Sequence, residues 1–153
     1  MLHTIKAARH QAKFSRNACP WLLVDSVGIE QWLAAHIEDE QVSLLGLSLI
    51  WLINETDEAV VKRRFTPGED GSSTIVPLLV CSDDMDLNCT VLVAEQLVQG
   101  GTISWVRFGW SISGGLEVGA QTRWISGTPP VEFALDDFNL ALEDFATMLS
   151  DHV

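Results

Sequence analysis

The stretch AEQLVQGGTISWVRFGW, residues 94–110, decides the fold. Gly100 and Gly101 separate two runs in which apolar and polar residues alternate. Such a pattern is a β-hairpin closed by a tight turn whose residues need positive φ. With the turn placed there, Glu95 lies opposite a residue between Ser104 and Val106, and Arg107 is its direct or diagonal neighbour. Trp105 and Arg107 are two apart and are expected on one face, with Phe108 and Trp110 on the other. One of these faces must carry core. Phe108 and Trp110 suit burial under a helix, so Trp105 and Arg107 are expected to look outward, joined by Arg123 of the next strand with Trp124 on its other face. An exposed Trp–Arg pair is a common interface hot spot. The same pair also suits cation–π packing on a second covered face.

Working outward, LEVGAQTRWI (116–125), CTVLVAEQLV (89–98) and STIVPLLVC (73–81) read as further strands, the last placed at an edge or a bulge by Pro77. AVVKRRFT (59–66) reads as a strand ending at the turn PGEDG. VSLLGLSLIWLI (42–53) reads as a long central strand covered on both faces. Helices are expected at the two ends of this run. In DSVGIEQWLAAHIEDE (25–40), Asp25 or Ser26 is the expected cap, and Ile29, Trp32, Leu33 and His36 share a face. In VEFALDDFNLALEDFATMLSDHV (131–153), Leu135, Phe138, Leu142, Phe145 and Leu149 recur at three and four. The expected class is α+β: an antiparallel sheet of about six strands with an N-terminal and a C-terminal helix packed on it. Residues 1–16 form a basic segment, either a frayed helix or a short edge strand, and 1–153 reads as a single domain.

Charge is the most informative total. Four of the nine Lys and Arg residues precede Cys19, and from Pro20 onward five bases face 21 acids, a net charge of −16. Such a body repels nucleic acid and anionic membranes and attracts cationic proteins. No apolar run is long enough to span a bilayer, and no apolar stretch follows the basic residues as in a secretory signal, so a cytoplasmic location is expected. Cys19, Cys81 and Cys89 lack zinc-type pairing, and the four histidines are scattered, so no metal or other cofactor is expected.

Calcium is weighed at DDMDLN (83–88). Asp84, Asp86 and Asn88 fit the first three ligand positions and Glu95 the twelfth, but Cys89 replaces the turn glycine and Glu95 lies in a strand. A solvated acidic loop is the expectation. No nucleophile motif or phosphate-cradling glycine loop occurs, and no catalytic residue is assigned. Glu38, Asp39 and Glu40 at the end of the first helix and Asp83, Asp84 and Asp86 in the loop are the candidate partner-binding acids, with Trp105 and Arg107 as anchors.

The segments VLVAEQLVQGGTISWVRFG (91–109), VGAQTRWI (118–125) and FALDDFNLALEDF (133–145) resemble the small immunity proteins of bacterial polymorphic-toxin and contact-dependent growth inhibition systems. The resemblance covers roughly the second half of the chain and is one of profile, without a signature motif. It implies a cognate toxin domain as partner, often a nuclease with a basic cleft, and no enzymatic activity. It carries over no contact residues. The alternative expectation is a homo-oligomeric structural or adaptor protein, the basic arm of one copy lying on the acidic body of another.

Overall fold

Residues 1–152 are described in a computed structural model, in which the chain runs β1 (Ile5–His10), β2 (Cys19–Val24), β3 (Val27–Gly28), α1 (Ile29–Ile37), β4 (Leu45–Leu47), α2 (Glu55–Phe65), β5 (Ser73–Cys81), β6 (Val91–Gln99), β7 (Thr102–Ser111), β8 (Thr122–Trp124), β9 (Val131–Ala134) and α3 (Leu135–His152). The class is α+β, with a six-stranded antiparallel sheet ordered β4-β5-β6-β7-β8. The strand β9 pairs with β7 beyond the end of β8, along Thr102–Trp105. The central hairpin is the one read from residues 94–110. Gly100 and Gly101 take φ of 60° and 76°, the left-handed values that a two-residue turn of this type requires.

The basic segment is a strand of its own small sheet, β1-β2-β3, rather than a frayed helix. It is joined to the large sheet where His3 bridges Phe133 of β9. Asp25 and Ser26, expected to cap α1, instead form the two-residue turn between β2 and β3, at φ of 49° and 68°. The Asp25 carboxylate is held there by the Thr4 N–H at 2.9 Å and by His3 at 2.7 Å, so Gly28 stands at the start of α1 without a side-chain cap.

One expected strand is largely broken up and another is helix. Residues 40–53 form a short 3-10 helix (Glu40–Leu44), the three-residue β4, and a tight turn in which the Ile50 and Trp51 N–H groups return to the Leu47 carbonyl. The Trp51 indole folds back over Gly46, where a Cβ would come within 2.5 Å of the ring, and donates to the Ser82 carbonyl. AVVKRRF belongs to α2, capped by Asn54, which accepts from Thr56 and Asp57 N–H. Acids fill its first turn and Lys62, Arg63 and Arg64 its last, both matched to the helix dipole. Of LEVGAQTRWI only Thr122–Trp124 is strand, because Gly115–Glu117 coils into a 3-10 turn. Pro77 is accommodated by a register shift between Pro77 and Leu79.

The buried apolar residues form one cluster to which both sheets and all three helices contribute. On the core face of the large sheet, Trp105 meets Phe108, Phe133 and Phe138 edge-on, and Phe108 meets His36 of α1. Helices α1 and α3 thus cover the same face. Helix α3 also lies along β1 and β2, forming the layer between the two sheets.

Candidate functional site

The central hairpin contains an irregularity that changes the outlook of its side chains. Gln96 pairs with Trp105 and Ala94 with Phe108, so Val106 and Arg107 together oppose Glu95. A bulge of this kind reverses the alternation. Trp105 and Phe108 therefore share the core face, which corrects the outward placement of Trp105. Trp105 is 0 % exposed, and its indole N–H donates to Gln96 Oε1 while Gln96 Nε2 donates to the Phe65 carbonyl. It serves as core and is unavailable as a partner anchor.

Arg107 does look outward, with 48 % of its side chain exposed. Its Nε donates to Glu95 Oε1 at 2.7 Å, and its Cζ lies 3.7 Å from the centre of the Trp124 ring. Trp124 therefore shares the face of Arg107, not the opposite one. It stands across from Gly109, where a Cβ would come within 3.0 Å of the indole. Glu95 also accepts from Ser73 Oγ. Cross-strand ion pairing and cation–π stacking account for the packing of this group.

Leu45 pairs with Cys81, so the residues just before Leu45 and those just after Cys81 leave the same end of the β4–β5 ladder. Glu38 instead lines a cleft with Ile125–Pro129, the segment that follows β8. The six acids divide by what they touch. Asp39 caps the 3-10 turn by accepting from Gln41 N–H, and Asp86 accepts from the N–H groups of Asn88 and Cys89. Glu38 is the left-handed residue that ends α1, at φ 62°. The carboxylates of Glu38, Glu40 and Asp83 have no hydrogen-bond or ion-pair partner among the described residues, and all three residues are exposed. Asp84, also exposed, is gathered with Cys81 and Cys89: their sulfur and oxygen atoms all lie within 4.8 Å of one another. The Asp84 carboxylate beside it raises the Cys89 thiol above its ordinary range, against a smaller opposing effect from the Thr90 backbone.

A second polar group escaped the sequence reading. Glu30, in the first turn of α1, is 0 % exposed, accepts the Trp21 indole N–H at 2.9 Å and meets His10 Nε2 at 2.8 Å. One carboxylate thus joins β1, β2 and α1. Gly28 leaves room for it, because a Cβ there would lie 2.4 Å from His10 Nε2 and 2.7 Å from Glu30 Oε1. The sequence signal is faint: a lone acid between apolar Ile29 and Trp32, on the face that must pack.

A cleft of about 510 Å³ separates α2 from α3, walled mainly by Leu49, Phe65, Leu142, Phe145 and Leu149. No helix among the described residues is long and apolar enough to cross a membrane. No family model, curated protein or solved structure matches the chain.

Proposed function

We propose that the chain is a non-enzymatic, acidic binding protein of the cytoplasm that neutralises a cognate basic toxin domain, a nuclease, by covering its active cleft or an adjoining surface. The observation that carries this reading is the uncompensated charge. Among the described residues only Glu95 pairs with an Arg or Lys side chain, and Asp25 and Glu30 meet histidines, which leaves the rest of the 21 acids without an internal cation. Glu38, Glu40 and Asp83 are exposed and carry such charge. A basic cleft approaching the acidic surface meets an opposed field, which speeds encounter by roughly 10–1000-fold at low salt. The resemblance of residues 91–109, 118–125 and 133–145 to immunity proteins points the same way.

The test is capture from the native host with the wild-type chain and with a Glu38→Lys/Glu40→Lys/Asp83→Lys variant. The reading expects a basic fragment with nuclease activity that the wild type binds, inhibits and releases at high salt, and that the variant fails to hold. Capture of no basic partner, or equal binding by the variant, would remove this surface from consideration.

A second reading, a homo-oligomer, is favoured by one observation. Lys6, Arg9, Lys13 and Arg16 are exposed and have no carboxylate partner among the described residues. They lie on or beside β1, a strand at the end of its sheet, where cations also discourage unwanted pairing. Removing residues 1–16 is no clean test, because β1 packs on α3. Replacing the four with Gln and measuring mass by sedimentation separates the readings: self-assembly through this arm requires the wild type to be larger than the variant.

A further inference from the structure

We propose that Cys81, Asp84 and Cys89 form a three-ligand site for a thiophilic divalent cation of the zinc class, with the fourth position open to solvent. The spacing C-x2-D-x4-C lacks the close cysteine pair of familiar zinc motifs, and the fold supplies the missing proximity. Cys81 ends β5 and donates its N–H to the Thr90 carbonyl, so the chain leaving at Cys81 returns beside it at Cys89. Two sulfurs and one carboxylate oxygen then lie within 4.8 Å of one another. Tetrahedral zinc, with bonds to sulfur of about 2.3 Å, sets two sulfurs about 3.8 Å apart. The group must therefore close by at most about 1 Å, which side-chain rotation supplies.

The donor set selects the ion. Two thiolates with one carboxylate suit zinc and its soft neighbours and disfavour calcium and magnesium, which take oxygen ligands. Glu95, the residue a calcium loop would need at its twelfth position, is held by Arg107 and Ser73. Residues 81–90 include three acids and no base, so the field around the site favours a cation. Access is open: both cysteines are half-buried and Asp84 is exposed.

The loop carrying these ligands is held from outside at several points. Trp51 Nε1 donates to the Ser82 carbonyl at 3.0 Å, Ile53 N–H to the Met85 carbonyl at 3.3 Å, and Leu87 N–H to Asp57 Oδ2 at 3.2 Å. The Met85 N–H returns to the Cys81 carbonyl at 3.1 Å. These ties come from the turn after β4 and from the first turn of α2, so the ligand geometry is fixed by the tertiary fold. Such positioning lowers the ordering entropy that a flexible loop would lose on binding an ion.

The test uses the full-length chain, reduced with a phosphine and freed of metal. Cobalt(II) is titrated first and zinc second. The expected result is one equivalent of cobalt giving thiolate charge-transfer and tetrahedral ligand-field absorption, both lost on adding zinc. Cys81→Ser and Cys89→Ser should each weaken binding at least about tenfold, as should Asp84→Asn, while Cys19→Ser leaves it unchanged. Circular dichroism of each variant confirms that it is folded. Zinc should also slow alkylation of Cys81 and Cys89. Absence of the thiolate bands, bands that persist in folded Cys89→Ser, or alkylation rates indifferent to zinc would each overturn the assignment. So would a Cys81–Cys89 disulfide that forms in air at the same rate with and without zinc, which would mark the pair as a redox couple instead.

Discussion

Removing the Glu30 carboxylate should be among the most damaging single changes to this protein. Glu30 is fully buried and ties Trp21 of β2 and His10 of β1 to α1. In Glu30→Ala the Trp21 indole N–H loses its acceptor inside the core, a loss of about 1–3 kcal/mol. The missing methylene adds about 0.8 kcal/mol. With the His10 contact also gone, the total is about 3–5 kcal/mol, the range seen when one member of a buried pair is removed. For a chain of this length that lowers Tm by roughly 6–20 °C. Glu30→Gln separates packing from charge. Its amide oxygen can still accept from Trp21, which turns the amide nitrogen, a donor, toward His10 Nε2. If that ring nitrogen carries a lone pair, the variant loses only about 1 kcal/mol. If it carries a proton, two donors face each other and the loss approaches that of Ala. Urea unfolding followed by tryptophan fluorescence reads all of this, and a cycle with Trp21→Phe isolates the indole–carboxylate bond at about 1.5–3 kcal/mol. A Glu30→Ala protein within about 0.5 kcal/mol of wild type would refute the reasoning.

Trp105→Ala should destabilise by about 3–5 kcal/mol, whereas Arg107→Ala should lose no more than about 1 kcal/mol, a contrast that thermal melts of the two variants will read. Gly28→Ala should destabilise clearly, since its Cβ would meet His10 and Glu30; combining it with Glu30→Ala should cost less than the sum of the two, measured by the same unfolding assay. Asp25 supplies a pH signature. Burial pushes its carboxyl upward, but hydrogen bonds from Thr4 and His3 outweigh that and leave it below its ordinary value. A depressed folded-state value stabilises the fold above the ordinary carboxylate range, and that contribution is lost as pH falls through the depressed value. Urea midpoints of wild type and Asp25→Asn should therefore differ near neutrality and converge in strong acid; a constant gap would show that the carboxylate charge is not involved.

What the residues determine locally, they determined well. Alternation about Gly100–Gly101 places the central hairpin, and the repeat of Leu135, Phe138, Leu142 and Phe145 places the last helix, because both patterns repeat over several residues. Helix α2 reads wrongly as a strand from the β-branched Val60 and Val61, although Asn54 as cap, acids first and cations last mark a helix. The acid excess after Cys19 and the clusters at 38–40 and 83–86 are likewise plain in the sequence.

Only the tertiary structure decided the rest. The bulge at Glu95 adds a single residue to one strand and leaves no mark on composition, yet it turns Trp105 inward and leaves Arg107 over Trp124. The run 42–53 is apolar enough for a strand, but Trp51 packing on Gly46 bends it. Glu30, Trp21 and His10 are up to 20 residues apart and meet only because β1, β2 and α1 close on one another. Cys81 and Cys89 are brought together where the β5–β6 pairing ends, at Val80 and Val91. Periodicity and capping act within a few residues and are written in the chain order. Register, bulges and buried polar contacts are settled by which packing leaves no void and no unpaired polar group, and that is a property of the assembled core.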